Sequence, residues 1–303
     1  MEKLGRLIVV TGPTGSGKSA LAVELAMRLS TEIISADSRQ IYKGLPIGTA
    51  APTHEQLAAA PHHLVAFKEL DQYYSAAQFE ADAMALLPGI FARGGGNAVV
   101  CGGSMMYVDA LVGGIDDLPA ISPQTRDEAM ELYRRGGLQR LRLTLLDLDP
   151  VYYRQVDLNN PKRLIHAIEI CRQAGVPYSS LRTGKAKERP FDIVMMAIDW
   201  PREQLFKRIN SRVDMMIADG LVDEARSVIA FRDLNSLNTV GYKEMLRHLD
   251  GEWDLATARD RMAKNTRVYA KKQLTWMKKR QEIARLDPQS PTPLIEQALN
   301  LLI

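Results

Sequence analysis

Residues Gly12, Pro13, Thr14, Gly15, Ser16, Gly17, Lys18 and Ser19 fill the pattern G-x-x-x-x-G-K-S/T at each fixed position. The successive N–H groups of such a turn, with the first turn of a following helix, make a cradle for an anion. Lys18 brings positive charge to a terminal phosphate, and the Ser19 hydroxyl suits Mg²⁺. The pattern specifies a di- or triphosphate without saying which. A second group is Asp37, Ser38, Arg39 and Gln40. A carboxylate there could bind Mg²⁺-coordinated water or accept a proton from a nucleophile, and its plainer role is to cap the turn that follows. Ser104 follows Gly102 and Gly103 and could donate to a leaving oxygen or cap a helix. Arg208 and Arg212 stand four apart on one helix face. Either could clamp developing charge, and the competing reading is a surface ion pair with Glu203 or Asp214. Asn210 and Asp214 fall on other faces and fit solvent exposure.

Strands and helices must bring these groups together. The run Leu7-Ile8-Val9-Val10 predicts a buried strand over 4–11, entering the glycine-rich turn, and a helix over 19–29 follows. Further strands are expected over 32–36, 63–67, 98–101 and 193–198, with helices over 54–60 and 75–87. This alternation predicts an α/β fold with a mostly parallel sheet, whose ligands bind at the strand ends. Between 121 and 182 strand signals fade, and helices are expected over 123–135, 137–146, 150–155 and 161–174, separated by Pro and Gly. The expected domains are a core of 1–120 and 183–303, with a helical insertion inside 121–182. Pro201 and Gly220 bracket a long helix, 221–231 is helical again, 238–242 turns, and a basic helix spans 255–280.

The composition is that of a globular chain: 46% apolar and 25% charged residues argue against disorder. The formal charge of +3 is small, but from Arg259 to Arg285 ten Lys or Arg residues face two acids. Such a field attracts polyanions, unless it is merely a solvated helical face. Cys101 and Cys171 lack metal-ligand spacing, and Cys101 reads as a small buried hydrophobe. The absence of a disulfide framework fits a reducing compartment. No apolar run approaches the roughly 20 residues of a membrane span, and no signal peptide is expected, so a cytoplasmic location is predicted.

These residues lead to a P-loop phosphotransferase or a diphosphate-using enzyme. A small-molecule kinase is the main alternative, although the strand before Cys101-Gly102-Gly103 carries no Walker B aspartate.

The ordered set of motifs narrows the choice. It runs from the P-loop through Asp37-Ser38-Arg39-Gln40-Ile41-Tyr42-Lys43-Gly44, Ile47-Gly48-Thr49-Ala50 and Gly102-Gly103-Ser104. It continues through Asn160-Pro161-Lys162-Arg163, Arg208-Ile209-Asn210-Ser211-Arg212, Val240-Gly241-Tyr242-Lys243-Glu244 and Tyr269-Ala270-Lys271-Lys272-Gln273-Leu274-Thr275-Trp276. Over roughly residues 6 to 280 the chain resembles the bacterial tRNA dimethylallyltransferases. That resemblance implies a nucleotide-kinase-like core, with a P-loop that holds dimethylallyl diphosphate in place of ATP, and basic C-terminal helices that bind tRNA. The implied target is N6 of the adenosine immediately 3′ of the anticodon, in tRNAs reading codons that begin with U. Asp37 matches the family's general base and also anchors that adenosine. Ser38, Arg39 and Gln40 lie in a tRNA-contacting segment, with Gln40 a reader of the target base. Ser104 stands where Thr is usual, beside the bridging oxygen of the leaving diphosphate, and Arg212 matches the diphosphate-binding arginine. Lys162, Arg163, Leu164, Ile165 and His166 match a further tRNA-contacting stretch, as do Asn238, Thr239, Val240, Gly241, Tyr242 and Lys243. The implied cofactor is Mg²⁺, held by Ser19 and by Asp37, directly or through water. The implied partners are the tRNA anticodon stem-loop and dimethylallyl diphosphate, with no membrane and no protein partner, in a monomer. Gly15 stands where Ala is usual, a change expected to be harmless, and His166 stands where Arg is common. No zinc-finger segment follows Trp276, which fits the bacterial type.

Overall fold

The computed structural model describes residues 3–303. The chain falls into two compact units, one built from the residues up to Gly113 together with Glu188–Ile303, the other from Gly114–Lys187. The larger unit carries six strands: β1 (Arg6–Thr11), β2 (Ile33–Ser35), β3 (His62–His63), β4 (Asn97–Cys101), β5 (Asp192–Ile198) and β6 (Ile283–Leu286). They form one sheet in the order β3-β2-β4-β1-β5-β6, with every pairing parallel. A parallel sheet is covered on both faces, which explains why the central strand β1 reads as an unbroken apolar run: Leu7, Ile8, Val9 and Val10 have no exposed surface.

The helices of this unit are α1 (Lys18–Arg28), α2 (His54–Ala59), α3 (Ala76–Arg93) and α4 (Met105–Gly113) before the smaller unit. The smaller unit holds α5 (Pro123–Leu148), α6 (Pro150–Tyr153), α7 (Pro161–Ala174) and α8 (Tyr178–Leu181). After it come α9 (Arg202–Ala218), α10 (Leu221–Ser227), α11 (Tyr242–Leu249), α12 (Leu255–Lys278) and α13 (Leu294–Asn300). The smaller unit is all helix, and its core packs α5 on α7 through Leu141, Leu145, Leu164 and Ile168. Within α5 the backbone leaves helical geometry at Gly137, where two helices were expected to meet.

Three expectations need correction. The strand predicted over 63–67 is only the pair His62–His63, because Leu64 and Ala66 take left-handed backbone conformations that no strand can continue through. The helix expected to stop at 87 runs on through Pro88 to Arg93, since buried Ile90 and Phe91 hold its last turn despite one lost hydrogen bond. The edge strand β6 and helix α13 were not foreseen, yet Leu286, Ile295 and Ala298 complete the core around α1. Among the described residues, no helix is long and apolar enough to cross a membrane.

Candidate active site

The loops that leave β1, β2 and β4 emerge at one edge of the sheet, as parallel α/β architecture requires. With one face each of α9 and α12 they enclose a cavity of about 540 Å³. Thr14, Lys18, Ser19, Asp37, Ser38, Arg39, Gln40, Ser104 and Arg212 all line it.

On the P-loop side, Gly15 has φ +80°, and a Cβ there would lie 3.1 Å from Ile209. Alanine in this backbone would be strained, so Gly15 is better than harmless. Trp200 donates its indole N–H to Ser16 O at 2.8 Å, and Arg208 stacks on that indole while donating to Gly15 O at 2.8 Å. Arg208 therefore braces the loop from behind, and Arg212 alone of the two lines the cavity. Asp214 is exposed, as expected, and Asn210 is half-buried; Asn210 accepts from Arg267 and Asp214 from Arg259, tying α9 to α12. Burial holds the Lys18 ammonium below the ordinary lysine pKa, and the nearby Arg212 charge adds to this, while Cys101 and Asp37 oppose it. Burial lowers Arg212 as well, against the pull of Asp37. The buried Ser16 hydroxyl has no hydrogen-bond partner. Concentrated, desolvated positive charge beside an unpartnered hydroxyl is an arrangement that an oxyanion would relieve.

On the second side, Asp37 Oδ1 accepts the N–H groups of Arg39 at 2.9 Å and Gln40 at 3.4 Å. Asp37 thus caps its turn with one oxygen and presents a carboxylate to the cavity. Ser104 Oγ accepts the Ser38 N–H at 2.9 Å and lies 3.2 Å from Ser38 Oγ, so its hydroxyl serves the Asp37 loop and not the helix that follows. Gln40 donates to Thr49 O and Ala50 O and accepts from Ser35 Oγ. Its amide is engaged within the protein and braces a wall of the cavity, which Gln40 also lines. Arg39 reaches Asn235 O at 2.6 Å. Glu224 gathers the N–H groups of Ile47 and Gly48, both at 2.7 Å, and the Tyr242 hydroxyl at 2.5 Å. Tyr242 has no exposed surface and braces the same wall. Asn238, Thr239, Val240 and Lys243 do line the cavity, while Gly241 sits behind them, its N–H held by Glu244 at 2.7 Å.

In the smaller unit, Lys162, Arg163 and His166 are exposed on α7. Leu164 and Ile165 are buried in that unit's core and cannot offer side chains to RNA.

Several cavity residues were not singled out by sequence. Ile209, Val213 and Met216 flank Arg212 on α9, and Met262, Tyr269 and Gln273 line it from α12. Their spacing of three and four was the available signal. Cys101, read as core, also lines the cavity, and burial raises its thiol pKa despite Lys18 nearby.

This is the cleft of a P-loop enzyme that grips a phosphorylated substrate and sets apolar surface beside the phosphate site. The IPP transferase family model matches residues 40–280, and the chain belongs to that family. It is 51% identical to tRNA dimethylallyltransferase 1 of Bacteroides thetaiotaomicron, over 96% of this chain and 94% of that one. Among solved structures it is similar to the full-length tRNA isopentenylpyrophosphate transferase of Bacillus halodurans, with 34% identity, a TM-score of 0.69, and coverage of 99% of this chain and 94% of that chain. A eukaryotic dimethylallyltransferase acting on tRNA superposes with a TM-score of 0.79 at 26% identity, covering 93% of this chain and 74% of that chain.

Proposed function

We propose that this chain transfers the dimethylallyl group of dimethylallyl diphosphate to N6 of the adenosine immediately 3′ of the anticodon, in tRNAs reading codons that begin with U. The observation that carries this reading is the composition of a single cavity: Lys18 and Arg212 beside apolar Ile209, Val213 and Met216, with the Asp37 carboxylate facing the same space. The cationic part would serve a kinase equally well; the apolar surface beside it is of the kind that a dimethylallyl chain requires, and the family membership decides between the two.

In the reaction, the bond between the allylic carbon and the bridging oxygen breaks, and its electron pair leaves with the diphosphate. N6 bonds to that carbon and loses a proton. Lys18, Arg212 and the P-loop N–H groups left free by the protein stabilise the charge that grows on the leaving oxygens. Ser104 lies within reach of this region by way of the Ser38 loop. Asp37 accepts the N6 proton, which becomes acidic as the new C–N bond forms. To enter the cavity the adenine must leave the stack of the anticodon loop, at a cost of a few kcal/mol recovered by contacts in the pocket. Exposed Lys264, Lys271 and Lys272 on α12, with Lys162 and Arg163 on α7, are the side chains offered to tRNA phosphates.

Mg²⁺ fits this donor set. Two hard oxygen donors, Ser19 and Asp37, line the cavity, and the described residues contain no cluster of three His, Cys, Asp or Glu. That suits a cation taking most of its ligands from diphosphate and water. Bound there, it neutralises part of the leaving group's charge.

The test is to incubate the protein with unmodified tRNA, Mg²⁺ and either dimethylallyl diphosphate or ATP, then digest and weigh the nucleosides. A dimethylallyl mass gain on one adenosine, with no ATP-dependent product, is the expected result. ATP turnover without prenyl transfer would overturn the reading in favour of a kinase.

A further inference from the structure

Gln273 lies on α12 and is 3% exposed. Its Oε1 accepts the Thr14 N–H at 3.0 Å, and its Nε2 donates to Gly103 O at 2.8 Å. Only one orientation of the amide satisfies both partners, so the side chain is fixed from both ends. The fit is close: a Cβ on Gly103 would meet Nε2 at 2.4 Å. Residue 103 must therefore be glycine for a reason of contact, independent of any ligand. Gly103 is followed by Ser104, whose Oγ accepts the Ser38 N–H, and Ser38 follows Asp37. One buried amide thus joins the P-loop after β1 to the loop after β4, which is itself bonded to the loop after β2. That amide is carried by the same helix that exposes Lys271 and Lys272.

We infer that Gln273 is a positioning residue that sets the spacing between the diphosphate cradle and the Asp37 base, an inference that rests on the transfer reaction proposed above. The cradle and the base sit at the ends of different strands, which are bonded to one another at the roots of their loops by Thr11 Oγ1 to Gly102 O and Ser104 N to Ala36 O, and Gln273 adds the link farther out, at Thr14. Transfer needs the leaving oxygen and the proton acceptor to be correctly placed at the same moment, and small misplacements slow such reactions severely. Gln273 fixes that spacing without touching the reacting atoms. Its place on α12 also means that a shift of this helix on binding tRNA reaches the P-loop directly through this side chain, beside the indirect route through α9 and Arg208.

Gln273→Ala removes the bridge, and Gly103→Ala displaces the amide while also crowding Gly12 O at 3.2 Å and Lys18 Cε at 3.6 Å. The two single variants and the double variant are compared with the parent for kcat, for KM with dimethylallyl diphosphate, for tRNA binding on filters and for Tm without ligand. Each single variant is expected to lower kcat about 30-fold, which is roughly 2 kcal/mol at about 1.36 kcal/mol per tenfold. Affinity for tRNA should stay within about twofold of the parent, because no group facing phosphate has changed. The double variant should fall no more than about threefold below the worse single, because both substitutions break one contact. Should Gln273→Ala fail to fold, Gln273→Glu, which keeps the acceptor for Thr14 N–H and loses the donor to Gly103 O, tests the bridge by its kcat.

The inference is overturned if Gln273→Ala keeps kcat within about threefold, if the two losses multiply in the double variant, or if tRNA affinity falls in step with kcat. A parent protein that transfers no prenyl group would overturn the proposed function itself. A parent that transfers, beside variants that transfer equally well, removes only the role of Gln273.

Discussion

On the P-loop side of the cavity the backbone is braced, but the Lys18 and Arg212 charges are desolvated and the Ser16 hydroxyl lacks a partner; across from it the polar side chains are satisfied within the protein. Across the cavity, Gln40, Glu224, Glu244 and Tyr242 are satisfied by the protein's own backbone and side chains. The contrast separates two tasks. The phosphate side stores positive charge that only an anion relieves, so it gains most when the leaving group develops charge. The second side is a rigid wall around one working carboxylate, as a site needs when it must hold a flipped base in a single pose.

Substitutions can sharpen or break this contrast. The largest effect is expected at Lys18: Lys18→Met should lower kcat/KM for dimethylallyl diphosphate by about 10³-fold and leave tRNA binding intact. Steady-state kinetics with a filter-binding control checks this, and a loss confined to tRNA affinity would dissolve the division of labour. Next is the wall. In Glu224→Gln the new NH₂ would face a backbone N–H or the Tyr242 hydroxyl, costing about 1–3 kcal/mol of stability. The same variant should raise KM for tRNA more than KM for the diphosphate, and an equal rise in both would mean that the wall serves the two sides alike. A smaller change is expected from salt. Binding of tRNA should weaken by about tenfold or more between low and moderate ionic strength, as released counterions require, and a flat titration would remove the lysines of α12 and α7 from the contact.

The smallest effect lies away from the cavity. The Glu32 carboxyl is pulled down to about 2, chiefly by its hydrogen bonds from Arg93 and then by His63. A depressed carboxylate stabilises the fold above its ordinary pKa near 4.5, and that contribution is lost as pH falls from there toward 2. Glu32→Gln should therefore flatten the acid limb of a Tm-against-pH curve and leave activity near neutral pH unchanged.

Much of this was legible in the sequence, for reasons that differ by residue. The P-loop was legible because its glycines, Lys18 and Ser19 act through local backbone geometry. Helix α7 was legible because Asn160, Pro161 and Gly175 mark its ends. Asp37 and Arg212 were legible as chemistry at a strand end and on a helix face. The bracing roles of Gln40 and Tyr242 are not legible in the sequence, because their partners, Ala50 and Glu224, are supplied by tertiary packing. Gln273 stood inside a recognisable motif, but no periodicity tells which neighbour a buried amide will meet. The strand β6 was hidden because Arg285 interrupts an apolar run only four residues long.

The central claim is that charge stabilisation and proton acceptance are divided between the two sides of one cavity. Asp37→Asn keeps the shape of the Asp37 turn and removes the base. Binding of dimethylallyl diphosphate and single-turnover prenyl transfer should be measured on it side by side. Binding within about threefold of the parent, with transfer slowed by about 10³-fold, is the predicted result. Binding and transfer lost in equal proportion would contradict the division and make Asp37 part of the diphosphate site.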